Sequence, residues 1–67
     1  MNITLNGERK SVPDNVTVMG LLDLLQIRHQ RVAVELNETI VKKDNYPGTV
    51  IKDGDMLEVV SFMAGGA

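Results

Sequence analysis

Apolar and polar residues alternate at the start of the chain: Met1, Ile3 and Leu5 on one side, Asn2 and Thr4 on the other. A period of two predicts a half-buried strand. Asn6-Gly7 follows directly. A type I′ turn needs positive φ at both central residues, and Asn-Gly is the pair that tolerates this best. The return strand is then residues 8–12, and the chain opens with a β-hairpin. Pro13-Asp14-Asn15 ends it. Thr17 is placed as a helix N-cap. Val18, Leu21, Leu22 and Leu25 fall at i, i+3, i+4 and i+7 and form one stripe on a helix of about two turns. Gly20 lowers helix propensity by about 1 kcal/mol relative to Ala and is a candidate for close approach of helix and sheet.

Residues 26–30 are polar apart from Ile27 and lead out of the helix. Residues 31–36 alternate again, with Val32, Val34 and Leu36 on one face. Asn37-Glu38 reads as a turn and residues 39–41 as a short strand. Residues 42–49 are polar, contain Pro47-Gly48, and are predicted to be a surface loop. Val50 and Ile51 re-enter the apolar layer, and Asp53-Gly54-Asp55 forms a tight turn. Residues 56–62 carry Leu57, Val59, Val60 and Phe62, which predicts a strand buried on both faces, as a central strand would be. Lying beside the first strand, it would project the following residues from the sheet edge. One helix on one face of a mixed sheet is an α+β layout. The predicted organisation is one domain over residues 1–62 and a flexible tail over residues 63–67.

Composition narrows the function classes. A chain of 67 residues points to a single domain. With one Tyr, one Phe and 43% hydrophobic residues, its core is aliphatic. Seven basic against nine acidic residues, a net charge of -2, argue against a general nucleic-acid binder and give no support for an anionic membrane partner. No apolar run approaches the roughly 20 residues that span a bilayer. Residues 1–4 show no signal-peptide pattern, so a cytoplasmic protein is expected. There is no cysteine, which favours an intracellular chain and excludes a thiolate as nucleophile, redox group or metal ligand.

Candidate chemistry is sparse inside the domain. One His and no Cys allow neither a Ser-His-Asp nor a Cys-His arrangement, and no enzyme activity is expected. His29, in the polar stretch after the helix, reads as a surface residue; a lone His makes a poor metal site, and none is expected. Asp53, Asp55 and Glu58 are an acidic group, either a solvated turn and edge or a contact for a basic partner. Their spacing does not match a calcium loop. Lys42 and Lys43 read as solvated loop charges.

The tail Met63-Ala64-Gly65-Gly66-Ala67 is the remaining candidate. Chain ends commonly fray. Glycine also lets backbone approach another surface closely, so a tail of Ala64, Gly65 and Gly66 suits threading into a narrow channel. A carboxylate is unreactive toward nucleophiles until coupled to AMP as a mixed anhydride. A sulfur nucleophile then displaces AMP and leaves a thiocarboxylate, a protein-bound sulfur that needs no cysteine.

The whole chain resembles the ThiS and MoaD group of bacterial sulfur carriers, and the ThiS type most closely. The resemblance rests on Ile3-Thr4-Leu5-Asn6-Gly7-Glu8, Thr17-Val18, Leu21-Leu22 and Val32-Ala33-Val34-Glu35-Leu36-Asn37. It continues through Ile51-Lys52-Asp53-Gly54-Asp55 and Leu57-Glu58-Val59-Val60 to Gly65-Gly66. It implies the β-grasp fold shared with ubiquitin and a carrier without intrinsic catalysis or bound cofactor. It also implies an E1-like adenylyltransferase (ThiF-type) that uses ATP, a cysteine-desulfurase sulfur donor, and thiazole synthase (ThiG-type) as acceptor in thiamine biosynthesis. Gly66 would be the attachment residue, with Gly65 and Ala64 threading. Phe62 and Met63, together with Asp53, Asp55 and Glu58, would form the docking surface.

The chain departs from that pattern at Ala67, which follows the second glycine. Removal of Ala67 by a peptidase, acceptance of Ala67 by the activating enzyme, and a cloning remnant are the alternatives; removal is the favoured one. It also raises the chance of a role in homocysteine or cysteine synthesis. A ubiquitin-like modifier is the reading from a different class.

Overall fold

A computed structural model describes residues 1–62. Met63, Ala64, Gly65, Gly66 and Ala67, which hold the predicted attachment and threading positions, lie outside the described residues.

Five strands form one mixed sheet: β1 (Asn2–Leu5), β2 (Glu8–Ser11), β3 (Val32–Leu36), β4 (Thr39–Val41) and β5 (Met56–Ser61). The spatial order is β2-β1-β5-β3-β4. β1 and β5 are parallel, with Thr4 beside Met56 and Leu5 beside Leu57; every other neighbouring pair is antiparallel. One α-helix, α1 (Val18–Leu24), buries Val18, Leu21 and Leu22 in the same cluster as Ile3, Leu5, Val32, Val34 and Leu57. This is the β-grasp layout, with the core between the helix and one face of the sheet.

The N-terminal hairpin forms as the period-two pattern requires. Asn6 and Gly7 both take positive φ, 51° and 84°, and Leu5 pairs with Glu8 across them. Thr17 caps α1: its Oγ1 accepts from the Gly20 N–H at 3.0 Å, satisfying one of the unpaired donors at a helix start. Gly20 does sit in a crowded place, but against the cap and not the sheet. A Cβ there would lie 3.1 Å from Val16 Cγ2 and 3.3 Å from Thr17 Oγ1.

Four expectations need correction. β5 is the central strand, yet only its helix-side face is covered: Leu57 is buried and Val59 half-buried, while Met56, Glu58 and Val60 stand exposed on the other face. With a single helix layer there is nothing to bury the second face. β5 therefore leaves from the middle of the sheet, between β1 and β3, and not from its edge.

Residues 43–48 are not a loop but a 3₁₀ helix (Lys43–Gly48) whose Tyr46 is 1% exposed, the largest fully buried side chain. The polar residues around Tyr46 mask a single inward anchor that has no periodic neighbours. A second 3₁₀ turn, His29–Arg31, precedes β3. Val50 does not return to the core: it stays exposed and bridges to Thr17, while Ile51 alone is buried.

Candidate functional site

β5 ends at Ser61, and Phe62 is the last described residue before the glycine tail. Three contacts hold that point. The Phe62 N–H donates to Arg31 O at 2.8 Å, extending the β3–β5 pairing by one residue. Lys43 Nζ lies 5.2 Å from the Phe62 ring centroid, within cation–π range. The same Nζ donates to Gln30 O at 3.1 Å. Lys43 is thus more than a solvated loop charge: it joins two 3₁₀ turns to the end of β5. Phe62 remains 48% exposed, so much of its surface is open.

On the β1 side, Asn6 finishes the pairing. Its N–H donates to Leu57 O at 2.9 Å. Its side chain then accepts from the Val59 N–H at 2.8 Å and donates to Val59 O at 3.3 Å. Asn37 does the same on the β3 side: its N–H donates to Met56 O at 2.7 Å, and its Oδ1 accepts from the Met56 N–H at 2.9 Å. Both are turn residues at positive φ, so each presents its amide to β5 where a strand residue would otherwise continue. These asparagines escaped sequence reasoning except as turn formers. Asn followed by Gly or Glu signals the turn, not the second strand the side chain reaches.

The predicted acidic docking group separates into different surroundings. The Asp53 carboxylate accepts from the Asn2 N–H at 2.8 Å. The Asp55 carboxylate accepts from the Lys52 N–H at 2.8 Å and from Asn37 Nδ2 at 3.0 Å. Both close the turn that starts β5, where Gly54 has φ 86°. Glu58 instead lies on the open sheet face, directly opposite Glu35, with Met56 and Glu38 bordering the same shallow depression. His29 sits in the 3₁₀ turn before β3, partly exposed. Among the described residues, no group of three or more His, Asp or Glu side chains is placed to hold a metal ion, and no helix is long and apolar enough to cross a membrane.

This fold matches known proteins along almost its whole length. The model of the ThiS family matches residues 3–66. The chain belongs to the ThiS family. It is 35% identical over 65 residues to the sulfur carrier protein ThiS of Bacillus subtilis, covering 96% of this chain and 98% of that one. The crystal structure of a ThiS thiamine biosynthesis protein from Geobacter metallireducens superposes with a TM-score of 0.86 at 35% identity, over 94% of this chain and 96% of that one. A thiazole synthase of Paramagnetospirillum magneticum is 40% identical over 67 residues, all of this chain but only 21% of that protein. The chain therefore spans about a fifth of the length of the thiazole synthases it matches. Three relatives of its own size, from Bacillus subtilis, Thermus thermophilus and Escherichia coli, are named as sulfur carriers and not as catalysts.

Proposed function

We propose that this ThiS-family chain carries sulfur for thiazole formation in thiamine biosynthesis, with the carboxylate of Gly66 as the attachment group. The observation that carries the reading is the extent of the family match, which runs through both tail glycines and stops at Gly66, one residue before Ala67.

An E1-like adenylyltransferase joins the Gly66 carboxylate to the α-phosphate of ATP and releases pyrophosphate. A sulfur nucleophile at the oxidation level of sulfide then attacks the acyl carbon. The C–S bond forms, the C–O bond to AMP breaks, and AMP leaves with the electron pair. The thiocarboxylate passes sulfur to thiazole synthase. Gly65 and Ala64 give access to the enzyme's channel, because they add no bulk to the backbone. Phe62, Met63 and Glu58 form the docking surface beside the tail; Asp53 and Asp55 support it by shaping the start of β5. Ala67 is removed by a peptidase before activation.

The identity to thiazole synthases favours a second context for the same chemistry, in which a ThiS-like segment is covalently continuous with its acceptor enzyme. In that case the bond after Gly66 must be cut within a longer polypeptide.

The test is intact mass after incubation with an E1-like enzyme, ATP and sulfide, using chains ending at Gly66 and at Ala67. The chain ending at Gly66 is expected to gain the mass difference of one oxygen exchanged for sulfur, and the chain ending at Ala67 to stay unchanged. Conversion of the chain that still ends at Ala67 would defeat the trimming step. No conversion of either would defeat the carrier reading.

A further inference from the structure

Asn6 is the only asparagine of the chain that is followed by glycine. With no side chain beside it, the Gly7 nitrogen reaches the Asn6 carboxamide carbon more freely than the nitrogen of a bulkier residue would. Both residues are exposed, and a Cβ at Gly7 would meet nothing within 4 Å, so water and base have access to this peptide. The fold opposes the reaction. Oδ1 of Asn6 accepts from the Val59 N–H at 2.8 Å and Nδ2 donates to Val59 O at 3.3 Å, which commits both ends of the carboxamide to β5. Turning its carbon onto the Gly7 nitrogen breaks both bonds. The one Asp-Gly step, Asp53-Gly54, is held at both reacting groups. The Asp53 carboxylate accepts from the Asn2 N–H and the Gly54 N–H donates to Asn2 O, each at 2.8 Å. At Asn6-Gly7 the hold is on the carboxamide.

We propose that Asn6 is a deamidation site that folding keeps closed, and that its reaction releases the end of β5 from the β1 side. The Gly7 amide nitrogen gives up its proton and attacks Asn6 Cγ. An N–C bond forms, the Cγ–Nδ2 bond breaks, and Nδ2 leaves as ammonia with that proton. Water then opens the cyclic imide at either carbonyl and leaves aspartate or isoaspartate, with nothing oxidised or reduced. Neither product holds Val59 as the amide does. An ionised carboxylate only accepts, so aspartate sets an oxygen where Nδ2 now meets Val59 O, and the two acceptors repel. Isoaspartate routes the backbone through the former side chain and leaves a carboxylate one methylene shorter. Val59 lies close to the end of β5, so the strand is loosened where it leads out of the sheet. Its other side, where Val34 lies beside Val59, stays paired.

Ageing of the full chain in mildly alkaline buffer, with and without unfolding urea, tests the first half. Peptide mass spectra read the exchange of amide for acid at Asn6. The folded chain is expected to react about tenfold more slowly than the unfolded one, because both bonds to Val59 must open first. Equal rates in the two states would overturn the inference, as would earlier reaction at Asn15, Asn37 or Asn45. Asn6→Asp tests the second half. Asp-Gly also suits a type I′ turn, so the variant changes the donor and not the hairpin. Amide exchange at Val59 is expected to quicken about tenfold, while exchange at Val34 moves far less. Exchange at Val59 equal to wild type would overturn the release of β5. A variant that does not fold would overturn it too, since Asn6 would then hold the whole domain. Neither readout depends on sulfur transfer.

Discussion

The side chain of Asn6 pairs with the backbone of Val59 as a strand residue would, accepting from its N–H at 2.8 Å and donating to its C=O at 3.3 Å. β1 stops at Leu5, so this amide satisfies the central strand just before the chain runs out toward the tail. One residue thus serves two structures: a turn that needs positive φ and a strand that needs a neighbour.

Asn6→Gly should therefore be worse than a turn argument implies. Glycine keeps the positive φ but removes both side-chain bonds to Val59. We expect a loss of about 1–2 kcal/mol, read by urea denaturation. Faster hydrogen exchange at Val59 should accompany it. Stability within error of wild type would show that water replaces the amide fully.

Tyr46 is the largest fully buried side chain among the described residues, and Tyr46→Ala should cost about 3–5 kcal/mol. In a domain of this length that is a large share of total stability. A chain that melts within a few degrees of wild type would contradict this placement.

Burial also holds the Tyr46 phenol above its ordinary pKa of 10.0, against an opposing backbone hydrogen bond from Val34. Because the folded-state pKa is the higher one, the unfolded chain loses this proton first. The contribution is complete below pH 10 and declines as pH rises from there through the folded-state value. Tyr46→Phe should flatten that decline in chemical denaturation curves recorded above pH 10.

Asp53 and Asp55 are acceptors for backbone N–H groups at the start of β5. Asp55→Ala is expected to lower stability by about 1–3 kcal/mol. A charge reversal at either position would therefore confuse docking with folding. Glu58→Lys is the clean probe of docking: it is exposed on the open sheet face and should leave thermal stability unchanged or slightly raised, since it replaces a like-charge pair with Glu35 by an attractive one. A lower affinity for the activating enzyme with no change in melting would support the docking surface; unchanged affinity would remove Glu58 from it.

Lys43 and Phe62 hold the end of β5 against the 3₁₀ turn before β3. Lys43→Met should cost little in global stability, about 0.5–1 kcal/mol for an exposed cation–π contact. Its effect should concentrate at the Phe62 amide, whose exchange should quicken. Uniform exchange changes across the sheet would mean that Lys43 acts on the whole fold.

The local elements of this protein follow from residues adjacent in sequence. Asn6-Gly7 determines its turn through φ alone, Thr17 caps a helix whose apolar stripe is four residues long, and Val32, Val34 and Leu36 alternate because a strand has period two. The resemblance carried by those same segments, together with the Gly-Gly pair, also indicated the family. Tertiary structure decided everything that depends on partners far apart in the chain. Tyr46 lies among polar residues, so no period marks it as core; it is buried because the fold closes over that one position. The open face of β5 follows from there being a single helix to cover two faces. Asn6 and Asn37 read as turn residues, and only the placement of β5 between their hairpins turns their amides into strand partners. The carboxylates of Asp53 and Asp55 look like surface charge in sequence, yet become structural acceptors once β1 and Asn37 come alongside. Short-range conformational preference is a property of neighbouring residues, whereas hydrogen-bond satisfaction and burial belong to the assembled chain.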